Sequence, residues 1–410
     1  MLLVVVLFGM AAALLVYGMV DTSSLVLRRD KDVAAVFAQA KQALIGRAVA
    51  DDSRPGSLPC PDTDDDGSAE LFVGSDCPSY VGRLPWRTLG LRDLRDDAGE
   101  RLWYALSSNF RDDLSAGPLN SDTQGSRTVY RGSTAVTLTS KAVAVIFAPG
   151  TTLGGQMRDG TAALCPTTGT TIARSLCAAN YLEATGGANN ATAAGPYIAA
   201  ERSATFNDRL FVITTAELMP PVEQRVAREL RTILQAYKAN TACAGGCTNL
   251  GGTYGCYPWA DLSNGYSDSN PFNPGEGRNR GRIPVWGASP RDWGTNPCGT
   301  PLPTLPAWFD NNDWRLVVYY SAGRNYLGPG SCTTCVSSTL TVDGVAGKEV
   351  VILMPGPLLG TPPRAPVPLN DLTYWSYYFD DDWENRDNGN DLFVTPTSTA
   401  YTRDRIYTIP

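Results

Sequence analysis

The 410-residue sequence contains no histidine. Histidine supplies the general base of Ser-His-Asp and Cys-His catalysis and is a frequent ligand of zinc and haem. Its absence excludes these hydrolase classes and both kinds of His-ligated centre. We therefore expect no haem. Since no other residue spacing singles out a catalytic pair, we also expect no enzymatic activity.

Charged side chains are also scarce, at 18% of the chain, and only 34 basic residues oppose 41 acidic ones, for a net charge of −7. Nucleic acids and anionic membrane surfaces select proteins with a basic footprint, which this chain lacks. Ten cysteines accompany this composition. An even set of cysteines in a Gly- and Pro-rich chain indicates an extracytoplasmic protein.

The N-terminal run Met1–Val20 has no charged residue. Twenty helical residues span roughly 30 Å, which is enough to cross a bilayer core. A cleaved signal peptide has a basic n-region, and none is present here. Arg28, Arg29 and Lys31 follow the run, and the positive-inside rule would keep the rest of the chain in the cytoplasm. Because ten cysteines favour the opposite side, we expect that a basic leader is removed ahead of Met1.

A helical pattern continues beyond the apolar run. The apolar residues in the next segment step by three or four positions, which is typical of one face of a helix. Asp52 and Pro55 end the pattern. The sequence thus predicts one helix of about 50 residues, roughly 75 Å long at the rise of an α-helix. The predicted stripe is Val33, Phe37, Ala40, Leu44 and Ala48.

An apolar helix that becomes amphipathic and leads into a globular part resembles the arrangement of type IV pilins and type II secretion pseudopilins. The segment 38–67 also resembles the junction between helix and head in large members of this family, and reads AQAKQALIGRAVADDSRPGSLPCPDTDDDG. The resemblance implies a leader peptidase, a methylated N-terminus, the pilus assembly machinery, residence in the inner membrane before assembly, and a bacterial surface filament afterwards. It covers about the first 70 residues well and the remainder loosely. Residues implied in the filament core are Met1, Leu2, Leu3, Val5, Leu7, Phe8, Leu14 and Leu15.

One residue departs from the family pattern. The family usually has glutamate at the fifth mature position, where it pairs with a neighbour's terminal amine, whereas this chain has Val5. Some tip pseudopilins also lack that glutamate. The departure keeps a minor or tip subunit open as an alternative to a major filament subunit.

Internal repeats indicate a tandem duplication of the globular part. The matches occur in the same order about 200 residues apart. They pair 82–86 with 281–286, 101–107 with 315–321, 142–154 with 348–360, and 208–213 with 404–409. We therefore predict an α+β fold, with a long pilin-like helix and two related helix-plus-antiparallel-sheet heads. The expected segments are an apolar helix at 1–22, a first head at 23–217 and a second head at 218–410.

Secondary-structure patterns support this division. Within the second head, the apolar spacing and Pro220-Pro221 predict a helix at about 221–239. Short β-branched and aromatic runs predict strands in both heads. The predicted strands are 101–106, 142–148, 315–320 and 348–354.

The strongest site pattern is the run from Asp62 to Ser68, which has the D-x-D-x-D-G spacing of a calcium loop. Carboxylates at alternate positions can converge on one hard cation, and the glycine permits a sharp turn. Glu70 occupies the ninth position, but Val73 stands where a bidentate glutamate usually closes the site. A solvated acidic turn is the alternative. The candidate ligands are Asp62, Asp64, Asp66, Ser68 and Glu70.

The cysteines are interpreted as disulfides, since zinc without histidine would need four thiolates, usually from paired C-x2-C units. Spacing favours the pairs Cys60–Cys77, Cys165–Cys177 and Cys332–Cys335. Four others leave three connectivities open. They are Cys243, Cys247, Cys256 and Cys298.

The leading functional hypothesis is a structural one: a homopolymeric, disulfide-braced subunit of an extracellular type IV pilus-like filament. Aromatic residues beside a C-terminal acidic run raise the alternative of a glycan-binding adhesin that contacts surface glycans. A membrane-anchored surface enzyme is a further alternative, but no carboxylate pair is singled out for it. The aromatic residues are Trp375, Tyr377, Tyr378 and Trp383.

Overall fold

A computed structural model of the chain describes the residues from 30 onward with several gaps. The described residues are 30–132, 135–156, 158, 177–241, 255–260, 276–277, 279–284, 301, 303–328, 331–332, 335, 337–356, 385, 390–395 and 404–410.

The chain divides into two compact units that are discontinuous in sequence. The first holds the described residues up to Arg47, together with Leu58–Arg111 and Gly125–Thr214. The second holds Ala48–Ser57, Asp112–Gln124 and the described residues from Thr215 onward. Each unit therefore has its own core, but short segments of the N-terminal half belong to the second.

The first described helix, α1 (30–50), carries the predicted apolar stripe on its buried face. Val33, Phe37, Ala40, Leu44 and Ala48 are all at most 6% exposed. The helix ends where the Asp51 carboxylate accepts hydrogen bonds from the backbone N–H groups two and three residues further on. Such a side-chain acceptor offers the backbone a turn in place of another helical residue.

A six-stranded sheet forms the centre of the first unit. The run from Ala142 to Ala148 is buried on both faces, which explains its almost continuous apolar sequence. Every pair in the sheet is antiparallel except β3 with β7. Its strands are β1 (Val81–Arg83), β2 (Trp103–Leu106), β3 (Arg127–Arg131), β4 (Val136–Ala148), β7 (Tyr197–Ala199) and β8 (Arg209–Thr214). A small separate hairpin consists of β5 (Ala184–Thr185) and β6 (Ala188–Asn189).

The two faces of this sheet have different neighbours. Phe211 on β8 contacts Phe37 of α1, with ring centroids 6.1 Å apart. Leu210 and Val212, which alternate with Phe211 along the strand, pack instead on a cluster around Trp103. Helix α1 therefore packs on one face, and the other face has its own apolar core.

The second unit begins with α2 (Thr215–Asn240), which starts six residues earlier than the sequence predicted. Pro220 and Pro221 lie inside the helix, and each removes one intrahelical hydrogen bond. Leu218 and Met219 are fully buried beside them, so packing offsets that loss. Two short helices follow later in the unit, namely α3 (Ala307–Asn311) and α4 (Trp314–Val317).

Within the described residues of the second unit, three small sheets accompany these helices. The largest contains β10 (Arg280–Arg282), β11 (Tyr319–Ala322), β15 (Val350–Met354) and β17 (Arg405–Ile409) in that order, all antiparallel. A second consists of β13 (Leu340–Val342) between β14 (Val345–Lys348) and β16 (Leu392–Phe393), the latter parallel. The third pairs β9 (Glu276–Gly277) with β12 (Ser331–Cys332) in parallel.

Two four-stranded arrays have the same order, direction and register, and are here called the first array (β1-β2-β4-β8) and the second array (β10-β11-β15-β17). Gly82 faces Tyr104 across the first pair of strands, as Gly281 faces Tyr320. This equivalence shifts the predicted match of 101–107 with 315–321 by two residues. The reason is that α4 occupies part of the run predicted as strand 315–320.

Smaller details recur as well. The Asn190 amide donates to the Ile198 carbonyl and accepts from its N–H, and Asn385 does the same with Val394. In each unit this amide holds a short strand that lies parallel to its neighbour. The repeated geometry extends from the arrays to the parallel strands beside them.

The fold class predicted from the sequence is wrong. Of the predicted 50-residue helix, the described residues contain the 21 residues of α1 (30–50), and most regular structure in the described residues is sheet. The sheets are not purely antiparallel, since β3–β7, β9–β12 and β13–β16 are parallel pairs. Parallel strands require long crossover connections, which a reading of local patterns does not reveal. The run Met1–Val20 lies outside the described residues.

Among the described helices, none is long and apolar enough to span a bilayer.

Candidate functional site

The predicted calcium loop lies in the first unit, inside a covalently closed segment. Cys60 and Cys77 form a disulfide, the pair that spacing favoured. The loop is also tied to the sheet, because Asp62 and Arg83 exchange two backbone hydrogen bonds. The acidic residues are therefore held between the disulfide and the edge strand β1.

Asp62 organises the loop around its own side chain. The residue is 1% exposed. Its Oδ1 accepts backbone N–H groups of Asp64 and Asp65 at 3.2 and 2.7 Å, and its Oδ2 accepts that of Gly67 at 2.7 Å. An aspartate that folds the following backbone around itself in this way is a strong local turn signal.

Gly67 is required at the turn for two reasons. Its φ is +87°, which favours glycine, and a Cβ atom there would lie 2.5 Å from the Trp86 ring. The sharp turn predicted from the sequence is thus enforced by a bulky neighbour that sequence spacing does not reveal.

Three carboxylates converge at the loop. One oxygen each of Asp62, Asp64 and Glu70 lies within 4.8 Å of the other two. Thr63 positions Glu70, since its N–H and hydroxyl both donate to Glu70 Oε1, at 2.9 and 2.6 Å. Hard cations such as Ca²⁺ prefer such oxygen ligands.

The fourth predicted carboxylate, Asp66, is not part of this cluster. Asp66 accepts the Ser68 N–H at 2.6 Å, and that hydrogen bond together with one from the Ser68 hydroxyl lowers the pKa of Asp66. Val73, at the closing position, is 71% exposed. The structure therefore brings together three of the four predicted carboxylates.

Electrostatics at the cluster favour a cation. Burial, with the added repulsion of the Asp65 and Asp64 carboxylates, raises the pKa of Asp62 to about 6. Asp65 itself is neutralised by Arg101, at 2.9 Å, and lies 3.7 Å from Arg83. The negative charge that remains on the loop comes from Asp66 and from the three converging carboxylates.

The arginines were missed by the sequence interpretation. Arg101 also pairs with Asp93 at 3.0 Å. The Arg83 guanidinium contacts the rings of both Trp103 and Tyr181, at 4.3 and 4.1 Å from their centroids. Arg83 lies in segment 82–86, and the match of that segment with 281–286 was the only sequence signal for this arginine.

The remaining predicted sites are mostly outside the described residues. Cys177, Cys256 and Cys335 are also disulfide-bonded, but the described residues do not establish which cysteine each one is bonded to. The filament-core residues, the C-terminal aromatic group and the cysteines at 165, 243, 247 and 298 lie outside the described residues. Of the C-terminal acidic run, Asp391 is buried and accepts from Arg280 at 2.7 Å and Asn279 at 2.8 Å, which is a structural role.

Comparison of the chain with protein-family models, with curated proteins and with solved structures gives no match.

Proposed function

We propose that this chain is a structural subunit of an extracellular, type IV pilus-like filament in which copies associate through the apolar N-terminal run. The observation that carries the proposal is that the apolar stripe of α1 is already buried within the protein, at most 6% exposed. The uncharged run Met1–Val20 adds apolar side chains beyond this stripe, and their burial away from water is favourable. Equivalent segments of other copies supply a partner for this burial, and the inner membrane supplies one before assembly.

The disulfides are consistent with this role. Cys60–Cys77 braces the segment that follows α1, and three further cysteines are oxidised. Structural disulfides persist in oxidising compartments outside the cytoplasm. They stabilise a subunit that would be exposed on a cell surface.

The test compares two leucine substitutions in the native host. Leu7→Arg places a charge in the apolar run, and Leu71→Arg places the same charge at an 86% exposed position. We expect Leu7→Arg to abolish incorporation into sheared surface filaments, seen by immuno-electron microscopy, and Leu71→Arg to be incorporated normally. Wild-type protein found only as monomers in native surface material would overturn the proposal.

We further propose that Asp62, Asp64 and Glu70 bind calcium. The donor set fits, since all three offer hard oxygens and Asp62 Oδ2 accepts only one hydrogen bond from the described residues. Calcium titration calorimetry of the full chain should show that Asp64→Asn weakens binding more than Asp66→Asn, because only Asp64 belongs to the cluster. Equal losses in the two variants would contradict this ligand assignment.

A further inference from the structure

The second unit contains a cavity of about 470 Å³ at the start of α3, beside the middle of α2. Both polar and apolar side chains line it. A volume of this size is within the range of small-ligand sites, which combine apolar walls with a few fixed polar groups. No residue of this cavity belongs to the acidic loop or to the apolar N-terminal run.

Arg225 is the fixed polar centre of the cavity. Its guanidinium donates to the carbonyl oxygens of Val49 and Asp51, to Asp52 Oδ1 at 3.0 Å and to Glu229 Oε1 at 2.7 Å. These bonds hold the cation between two carboxylates before any ligand arrives. Prior ordering of polar groups reduces the entropic cost of binding.

The two carboxylates each keep an acceptor for a ligand. Among the described residues, no donor reaches Asp52 Oδ2 or Glu229 Oε2, and the Asp52 side chain is 95% exposed. Asn311, at the end of α3, adds an exposed amide to the same cavity. The cavity therefore offers acceptors on both sides of Arg225 and an amide that can donate or accept.

The apolar wall completes the site. Leu114 is 49% exposed and lies in the cavity with Pro306 and Trp308. The Trp308 ring lies 6.0 Å from the Arg225 guanidinium. A ligand that fills this space has an apolar face as well as hydrogen-bond donors.

Charge narrows the ligand class. The two carboxylates repel an anion, and Arg225 cancels one of their two negative charges, which weakens the attraction for a second cation. We propose that this cavity binds a neutral saccharide, whose hydroxyl groups donate to Asp52 and Glu229 and whose ring face packs on Leu114 and Pro306. This inference does not depend on filament assembly or on calcium.

The experiment uses the full chain in lauryldimethylamine oxide micelles, which contain no sugar headgroup. Glucose, galactose, mannose, N-acetylglucosamine and trehalose are the probes, and saturation-transfer NMR reports binding. We expect binding of at least one probe, and about tenfold weaker binding in Glu229→Gln, since that change replaces an acceptor by a donor. Asn311→Ala should weaken binding as well. Glu201→Gln, an exposed carboxylate in the first unit, is the matched control and should bind like the wild type.

Three results would overturn the proposal. One is the absence of binding by every probe while circular dichroism shows a folded chain. Another is unchanged binding in both Glu229→Gln and Asn311→Ala, which would place the sugar elsewhere. The third is displacement of the bound sugar by an equal concentration of ethylammonium, which would make the cavity a cation site.

Discussion

The first and second arrays share strand order and register but differ in how they neutralise the arginine that begins their last strand. Arg209 in the first array contacts Asp30 and Asp97, both at 3.2 Å, and the Asp30 side chain is 54% exposed. Arg405, its equivalent, pairs with Glu223 of α2, whose side chain is fully buried. Ser121 also donates to Glu223, at 2.6 Å. The arginine at this position thus pairs with one exposed and one 11% exposed carboxylate in the first unit, and with a fully buried carboxylate in the second.

The first prediction tests whether the burial of the carboxylate partner determines how much each ion pair stabilises the protein. Glu223→Ala should lower the free energy of unfolding by about 3–5 kcal/mol, because it leaves Arg405 without its buried partner. Asp30→Ala should cost less than about 1 kcal/mol, since exposed pairs contribute little. Urea denaturation of both variants measures the contrast. Similar losses would show that burial does not distinguish the two ion pairs.

The second prediction concerns the acidic loop, which belongs to the first unit. At a calcium concentration 100 times its dissociation constant, calcium should stabilise the folded chain by about 2.7 kcal/mol. The effect should grow as the pH rises through about 6, because Asp62 must be ionised to bind the cation. Calorimetric melting with and without calcium at pH 5 and 7.5 checks this, with Asp64→Asn as the control. A calcium effect that survives in the control would assign the ion to another site.

The third prediction concerns a buried carboxyl pair in the first unit. Burial, with added repulsion from Glu183, raises the pKa of Asp208 well above its usual range. The folded chain then holds a proton that the unfolded chain releases near pH 3.9. Stability from this group is present below that pH and is lost as the pH rises through the raised pKa.

For one proton, the free energy of unfolding falls by at most about 1.4 kcal/mol per pH unit over this range. Asp208→Asn should remove this pH dependence, because the amide is neutral at every pH and still accepts the Glu183 N–H. Denaturation curves from pH 4 to 8 measure the slope, and Glu201→Gln should keep it. An unchanged slope in Asp208→Asn would place the proton on another group.

The smallest expected effect compares two equivalent tyrosines. The Tyr320 hydroxyl donates to the Pro258 carbonyl oxygen at 2.8 Å. The Tyr104 hydroxyl donates to the Pro59 carbonyl oxygen at the longer distance of 3.4 Å. Tyr320→Phe should cost about 1 kcal/mol and Tyr104→Phe clearly less, because the longer bond is weaker. Thermal melting compares the two variants. A larger loss for Tyr104→Phe would mean that hydrogen-bond length does not rank these positions.

Local patterns in the sequence predicted several features that the structure contains. The stripe of α1 follows from helical spacing, and the Cys60–Cys77 pairing follows from proximity in the chain. The repeated Gly-Arg pairs at Gly82 and Gly281 lie on equivalent strands. Each of these depends on neighbours in sequence or on a motif that occurs twice.

Features that depend on distant residues were missed. The fold class was wrong because the parallel partners of β3 and β13 lie far along the chain. Asp66 was expected beside Asp62, but its carboxylate bonds instead with Ser68. The cavity around Arg225 combines side chains from segments more than 50 residues apart, and no local spacing indicates that they meet.

The sequence alone thus determined the composition limits, the buried face of α1, the position of the acidic loop and the repeated elements, since these depend on short-range periodicity and residue chemistry. Only the tertiary structure decided which carboxylates meet, which ion pair is buried and which distant strands pair in parallel. Those outcomes depend on chain crossovers and burial, which bring together residues that lie far apart in sequence.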